Sequence, residues 1–520
     1  MNEKVDVLII GCGPTGAVLG NLLAKSGLRT LIIEKDNTVF PIPRATHIDE
    51  ETLRNFQLTG LMEQLLPHVS PFGFMDVIDS GGKQLLEQEI FQEDALHGYS
   101  NSCFFDQPAF ERVLREGLKQ YKNVTFFANT SVTSFKEEFD FVAVGAINGN
   151  GDKLNFEASW VIGCDGGKSI VREWKNIKMK SYAPKRDWFI VDTLLKDEKD
   201  SALLPDRFRY ILNADRLTIY AHGFGLNRRW EFQLSEDEDS PTETQAMSWI
   251  SEFIAPNKLK VIRMAKYAHH SLVAEKYKEG RFLLAGDAAH MMPPSAGQGM
   301  CSGIRDAVNL AWKLAEVVKN NASISLLDSY ETERKPHVID ILKGSLFISN
   351  RLNADTHWSK QWRKIQLTLI GNLPPLQAIL KSLATRKNPL YDGFMNEMNS
   401  ISGRHFPQLK AKVMGESLNS DDCLGYNFNI VASSKILSLH NFETAQALNL
   451  SVFCKQPTYH LFQEGIEQWL NQNGLDFVLV RPDKIVYGGG KIKDFDAVIE
   501  GWKKALNPKL PEMMVKVFVN

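Results

Sequence analysis

Apolar and polar positions alternate along this chain in two rhythms. Residues 5–10 (VDVLII) are almost continuously apolar, as in a strand buried on both faces. They run into GCGPTG (residues 11–16), then into a helical pattern over residues 17–26 that Gly27 can close. A second buried run, RTLIIEK, ends at Glu34–Lys35. The order is strand, glycine turn, helix, strand. Residues 160–172 (WVIGCDGGKSIVR) repeat the logic, with the turn at Asp165–Gly166. Residues 107–119 have the spacing of an amphipathic helix, with Pro108 in its first turn.

Residues 188–272 change to a period of two, as in RLTIYAH and RRWEFQL, which predicts antiparallel strands. In RRWEF, Arg229 and Glu231 fall on one face, Trp230 and Phe232 on the other. A third short apolar run, 282–285, stops at Gly286–Asp287. A loop with Pro293, Pro294, Gly297, Gly299 and Met300 follows, then a helix over about 302–318 with Ile304, Val308, Ala311, Leu314 and Val318 on one side. Helical spacing continues through LLDSYETERKPHVIDIL and becomes loop-rich over 356–420. The last hundred or so residues read as a separate α/β unit, with a strand LSVFC, a helix over 459–471 and a hairpin DFVLVRPDKIVYGGG. The fold class is therefore α/β. The expected division is 1–180 and 276–355 for a Rossmann-like unit, 181–275 for an inserted antiparallel sheet, 356–420 for a helical and loop connection, and 421–520 for the C-terminal unit.

Composition narrows the function. With 43% hydrophobic and 23% charged residues and a net charge of −2, the chain has the make-up of a globular protein with no basic field for nucleic acid. No stretch approaches ~18 uninterrupted apolar residues, so no membrane span is expected. The first apolar run is too short for a secretory signal. Cys12, Cys103, Cys164, Cys301, Cys423 and Cys454 are scattered without a CxxC pair, which fits a reducing, cytoplasmic setting.

Gly11, Gly13 and Gly16 stand at GxGxxG spacing between a strand and a helix, and Glu34 follows 18 residues after Gly16. That context is the dinucleotide fingerprint. The glycines admit a pyrophosphate at the helix N-terminus, beside Pro14 and Thr15, and the acid accepts hydrogen bonds from a ribose. No second fingerprint follows a strand, and GAINGNG reads as a hairpin turn. One dinucleotide is held firmly; any second one visits.

GCGPTG, CDGGKSIVR and AGDAAHMMPPSAGQGM with its following helix together resemble the class A flavoprotein aromatic hydroxylases of the p-hydroxybenzoate hydroxylase fold. PRATHIDEETLRNF, RRWEFQL, SYETERKPHV and VLVRPDKIVYG resemble, further, the branch of 3-(3-hydroxyphenyl)propionate and polyketide hydroxylases. The resemblance implies a GR2-type FAD-binding domain and a thioredoxin-like C-terminal domain. FAD would be bound tightly, with NAD(P)H and O2 as transient co-substrates and a flavin C4a-hydroperoxide delivering oxygen to a phenolic ring. Asp287 and the 293–300 loop would hold the ribityl chain and flavin. Arg44 would lie near the pyrophosphate, Gln107 on flavin and ribityl oxygens, Asp165 beside FAD and the visiting nicotinamide, and the backbone of Val132 near the adenine. Asp287 could also cap the next helix. Cys301, Ala296 and Arg305 stand where the family often has Asn, Gly and Gln. A homodimer is left open.

No GxSxG, HExxH, P-loop or metal-ligand spacing occurs, and the resemblance implies that the flavin rather than a side chain carries the chemistry. His269 and His270, adjacent on a strand, point to opposite faces and cannot share a metal. Candidate substrate-pocket residues are Tyr210, Tyr220, His222, Arg229 (or Arg228) and Pro293. An arginine there would pair with a carboxylate, and His or Tyr would take a phenolic proton; an Arg229 ion pair across the sheet is the competing role. The alternatives are the same machinery on a polycyclic substrate, by hydroxylation, epoxidation or Baeyer–Villiger chemistry, and a flavin-binding regulatory protein without turnover.

Overall fold

The computed structural model describes residues 3–90, 96–213, 216–293, 297–352, 357–373, 392–396, 400–413, 416–433, 439–448, 450–455 and 458–507. The architecture is mixed α/β. Glu3–Ile10 lies inside an eight-stranded sheet, parallel to Thr30–Ile33 on one side and to Lys153–Gly163 on the other. Val124–Phe127 and Phe282–Leu284 extend it in the same sense. Strands covered on both faces must be apolar throughout, and Val7, Leu8, Ile9, Leu31, Ile32, Val161 and Ile162 are all fully buried. Helix Pro14–Lys25 packs against helices Gly299–Lys319 and Gln107–Leu118.

The second sheet has seven strands, in the order Leu259–His269, Arg186–Leu195, Asn227–Gln233, Leu217–Ala221, Phe208–Leu212, Phe74–Asp79, Gln84–Glu89. Five come from the stretch whose alternation predicts them. The other two come from far upstream, and Phe74–Asp79 joins Phe208–Leu212 in parallel. Fully buried Asp76 pins that join, with Arg209 Nη2 at 2.6 Å and Arg207 Nη1 at 2.9 Å. Alternation then sorts the two faces. Val191, Tyr220, Trp230 and Phe232 pack with Ala246 and Ile250 of helix Glu243–Ile250. Val77, Leu86, Trp188, Tyr210 and Ile219 pack on the other face with Leu352 and Leu367, from helices Asp328–Leu352 and His357–Asn372.

The C-terminal part forms a four-stranded sheet ordered Ser451–Val452, Asn429–Ala432, Phe477–Val480, Val486–Gly490. The expected hairpin is present, but LSVFC keeps only two residues in the strand because Phe453–Lys455 winds into a 3-10 turn. The helix placed at 459–471 runs from Gln463 to Gln472 after a separate 3-10 turn. Buried charges dock this part onto the long helices. Arg481 Nη2 lies 2.9 Å from Glu333 Oε2, which Lys313 Nζ meets at 2.8 Å, and Trp312 Nε1 donates to Asp483 Oδ2 at 3.0 Å. Among the described residues no helix is long and apolar enough to cross a membrane.

Candidate functional site

The first strand delivers the chain to Gly11, whose φ of 95° only glycine adopts easily, and where a Cβ would sit 2.4 Å from the Cys164 carbonyl oxygen. At Gly16 a Cβ would be 2.0 Å from the Gly11 oxygen. Both glycines are needed for the turn to close against the 160–172 segment. Gly13, by contrast, has open space beside it and caps helix Pro14–Lys25 without any side-chain bond. Glu34 spends its oxygens on the Cys12 N–H (2.7 Å) and the Asp36 N–H (3.0 Å), with Arg115 Nη2 at 3.8 Å.

The second wall follows strand Phe282–Leu284. Fully buried Asp306 accepts from the Gly286 N–H at 3.1 Å, lies 2.7 Å from His290 Nε2 and accepts from Arg334 Nε at 2.9 Å. This fixes the turn Gly286–Ala288 and sends the Asp287 carboxylate into a cavity of about 590 Å³. Asp287 is exposed to that cavity although protein surrounds it on every other side. Desolvation pushes its carboxyl above the usual range, and His290 and Arg44 partly offset this. Gly297 has a φ of 60°, and a Cβ there would meet the His47 ring at 2.6 Å. Helix Gly299–Lys319 then starts at the cavity, with Gly297, Gly299 and Met300 in its lining.

A third element is residues 43–45. Gln107 Oε1 accepts from the Arg44 N–H (2.8 Å) and the Ala45 N–H (2.6 Å), and Gln107 Nε2 donates to Glu111 at 2.8 Å. From the other side Arg229 donates Nη1 to the Arg44 oxygen at 2.7 Å, Nη2 to the Pro43 oxygen, and Nε to Asp192 at 2.7 Å. Arg263 joins the same Asp192 at 2.6 Å. The seven-stranded sheet thus clamps the loop that faces the dinucleotide turn. The rest of its cavity face is mostly apolar, with Met75, Val77, Leu86, Phe208 and Tyr210, plus the polar groups of Gln88, Glu231, Tyr267 and His270. Burial raises the Glu231 carboxyl above its ordinary range, and Arg229 offsets part of that. One cavity therefore joins the glycine turn, the Asp287 loop and the sheet.

The FAD binding domain family matches residues 4–345. The chain belongs to that family. This flavoprotein is 30% identical over 531 residues to the 3-(3-hydroxy-phenyl)propionate/3-hydroxycinnamic acid hydroxylase of Mycobacterium avium, with 94% of this chain and 90% of the relative covered. It is 29% identical over 538 residues to the Escherichia coli protein of the same name, with 100% and 92% covered. The solved structure of the flavin-dependent monooxygenase PieE with FAD and substrate shares the fold, with a TM-score of 0.78 at 18% identity over 97% of this chain and 99% of that one. The flavoprotein is an FAD-dependent monooxygenase of the aromatic hydroxylase group, a group that typically uses NAD(P)H and O2.

The residues present fit FAD. The buried Asp165 Oδ1 has no hydrogen-bond partner, its Oδ2 being taken by the Ile170 N–H at 2.8 Å. Gly13 offers bare backbone beside a helix start, and Asp287 offers a carboxylate. Of the residues expected at the cofactor, the cavity gathers Gly13, Pro14, Thr15, Arg44, Gln107, Asp287, Gly297, Gly299 and Met300. Gly11, Gly16, Asp165 and Gly286 shape it from behind and are not in its lining. Glu34, Lys35 and Val132 lie outside the cavity, and Pro294 lies outside the described residues.

Of the expected substrate residues, Tyr210 and Arg229 reach the cavity and Tyr220 and His222 do not. Tyr220 pairs across from Arg209, so the period of two turns it to the far face, against Trp230 at 4.8 Å. His222 Nδ1 sits 3.3 Å from Asp206 at the strand end. Arg229 faces the cavity, but each of its nitrogens already has an acceptor, so it clamps the loop and has no free fork for a carboxylate. Pro293 is buried beside the lining residues Met291 and Met292. The histidine pair divides as the alternation requires. His269 stacks on Trp188 at 4.9 Å, where burial lowers it to about 3, and His270 opens into the cavity.

Three contributions escaped sequence reasoning. Residues 74–90 carried a weak alternation that could have revealed their strands. Helices Asp328–Leu352 and His357–Asn372 add Phe347, Ile348, Arg351, Leu352, Leu367 and Ile370 to the wall. Arg305, where the family often has Gln, is buried against Asp49 at 3.0 Å and Glu51 at 2.7 Å. Glu51, His97 and His405, distant in sequence, place ligand-type atoms within 4.8 Å of one another. The Arg305 guanidinium on Glu51 makes that cluster an ion-pair hub.

Proposed function

We propose that this flavoprotein hydroxylates a phenolic substrate, with an acid of the 3-(3-hydroxyphenyl)propionate kind as its first candidate. The observation that carries this is the single cavity with a dinucleotide cradle on one wall and an apolar, sparsely polar sheet on the other. Bound FAD, reduced by NAD(P)H, supplies the activation of O2 that this chemistry needs. The chain supplies the rest. Gly13 and the helix start at Pro14 would hold the pyrophosphate on the turn that Gly11 and Gly16 close, and Asp287 would accept from FAD hydroxyls, with Asp165 supporting that wall from behind. Gly297, Gly299 and Met300 line the cavity, and their backbone N–H groups would hold the isoalloxazine and stabilise negative charge on it. Glu34 orients the turn through Cys12 as much as it meets a ribose. Arg44, its backbone held by Gln107 and Arg229, would meet the phosphates.

On the sheet, Met75, Val77, Leu86 and Phe208 exclude water and seat the ring. Glu231 is placed to receive the phenolic proton, with Tyr267 and His270 as neighbours that can pass it on. Its raised carboxyl brings its basicity nearer to that of its task. The C-terminal unit is thioredoxin-like and has no CxxC. Its role is packing, and Cys454 takes no part in turnover. The five-part division of the chain, a cytoplasmic setting and assembly as a homodimer belong to the same reading.

Purified protein is expected to be yellow, with about one FAD per chain, and Asp287→Ala is expected to lose FAD or to release peroxide in place of product. NAD(P)H oxidation should be slow alone and rise by roughly an order of magnitude or more with a hydroxylated phenol, about 1.4 kcal/mol of barrier per factor of ten. A panel of phenolic acids, followed by absorbance at the nicotinamide band and by product analysis, tests this. FAD-loaded enzyme that no phenol stimulates would refute the hydroxylase reading. A polycyclic phenol stimulating far better than a single-ring acid would move the substrate to the polyketide class.

A further inference from the structure

The cavity has one charged side chain that the proposed reaction leaves unused, and its assignment rests on the hydroxylase reading. Helices Asp328–Leu352 and His357–Asn372 wall the cavity with Phe347, Ile348, Leu352, Leu367 and Ile370, and among the described residues Arg351 is the one charged group they add. The Arg351 guanidinium carbon lies 4.2 Å from the centre of the Phe347 ring. Stacking on a ring orients the planar fork and leaves its N–H donors free. Among the described residues Arg351 has no carboxylate partner.

The other arginines of the lining are committed elsewhere. Arg229 has given every nitrogen to Asp192 and the 43–44 carbonyls. Arg44 belongs to the dinucleotide wall, beside Gln107 and 4.0 Å from Glu111. At the sheet, buried Glu231 repels any anion placed near it. A molecule with one acidic end and one phenolic end therefore has a single favourable orientation, with the acid at the helices, the ring along the apolar walls and the hydroxyl toward the sheet. We infer that Arg351 binds an anionic group of the substrate, a carboxylate, and sets a preference for phenols with an acidic side chain over neutral ones of the same size. The planar carboxylate matches the guanidinium fork in a bidentate pair.

Purified holoenzyme is assayed with 3-(3-hydroxyphenyl)propionate, its amide and 3-propylphenol, in wild type, Arg351→Gln and Arg351→Lys. FAD content and melting temperature are checked first, since Arg351 is exposed and its replacement leaves the core intact. The expected result is a KM for the acid raised roughly tenfold or more in Arg351→Gln, as for a lost charge-assisted hydrogen bond. Arg351→Lys recovers part of it, while kcat and the KM values for the amide and 3-propylphenol hold. Equal shifts for acid and neutral phenols overturn the assignment. So does a shift confined to NAD(P)H, which would give Arg351 to the nicotinamide phosphates. Wild type that turns over neutral phenols as well as acids sinks this inference and leaves the hydroxylase reading standing. If no phenol stimulates turnover, equilibrium titration of the holoenzyme with the acid still decides. Binding that Arg351→Gln loses supports the anchor, and absence of binding to wild type overturns it.

Discussion

Asp306 touches neither cavity nor surface, yet three donors converge on it and one of them is the N–H of the residue before Asp287. Burial alone would raise its carboxyl; His290 and Arg334 outweigh that and bring it down to about 2 from an ordinary 3.8. A carboxylate with a depressed folded-state pKa contributes stability that is fully present above the unfolded value. That contribution is lost as pH falls through the folded one. The window here runs from about 4 down to about 2. Asp306→Asn leaves Arg334 buried without its counter-charge, at a cost of about 3–5 kcal/mol near neutral pH. Denaturant titrations of the two proteins should show that gap narrowing as pH drops through the window. A gap that stays constant through the window would mean that folding does not lower the Asp306 carboxyl, and a gap that widens as pH falls would mean that Asp306 is buried neutral. The variant should also release FAD more readily, because the turn that aims Asp287 loses its tether.

Among the elements, the strand Asn227–Gln233 does two jobs through alternate residues. Trp230 and Phe232 hold the helix-covered face, while Arg229 reaches out to the 43–44 carbonyls. Arg229→Met should therefore act on cofactor retention and coupling: FAD affinity falls and peroxide rises, with the KM for a phenolic acid nearly unchanged. A raised KM with FAD binding intact would return Arg229 to the substrate. This double role was half legible. RRWEF announced the two faces, but no pattern in it says that the guanidinium's acceptors lie 185 residues upstream. The glycine turn and the Asp287 turn were readable because each packs its requirement into a few adjacent residues: a strand end, a glycine and an acid. Tyr220 misled because an aromatic on an alternating strand is equally at home on either face, and only the register with Arg209 and Trp230 decides. The helices behind Phe347 and Arg351 had a legible period, but period alone does not say which cavity a helix face closes.

Across the whole molecule, the C-terminal sheet is tied to the FAD-binding part by buried charge. Glu333 receives Arg481 and Lys313 at 2.9 and 2.8 Å, and all three are fully buried. Glu333→Gln leaves Arg481 with Asp483 alone and takes from Lys313 the carboxylate that offsets its burial, so it should loosen the docking by about 3–5 kcal/mol. Limited proteolysis should then release fragments from beyond residue 400 at a denaturant concentration where wild type stays intact, while FAD remains bound. Equal resistance in both proteins would show that apolar packing alone holds the unit. The seven-stranded sheet ties the chain together differently, since Asp76 meets an arginine 133 residues further on. During synthesis the hairpin of Phe74–Glu89 leaves the ribosome with Val77, Ile78, Leu85 and Leu86 uncovered, and its partner strand follows only after roughly ten seconds or more at ordinary translation speed. For that interval a sticky strand edge is open to any neighbouring nascent chain. Overexpression in the cold, or with chaperones that shield such edges, should therefore raise the soluble yield of this enzyme more than any change made at its flavin.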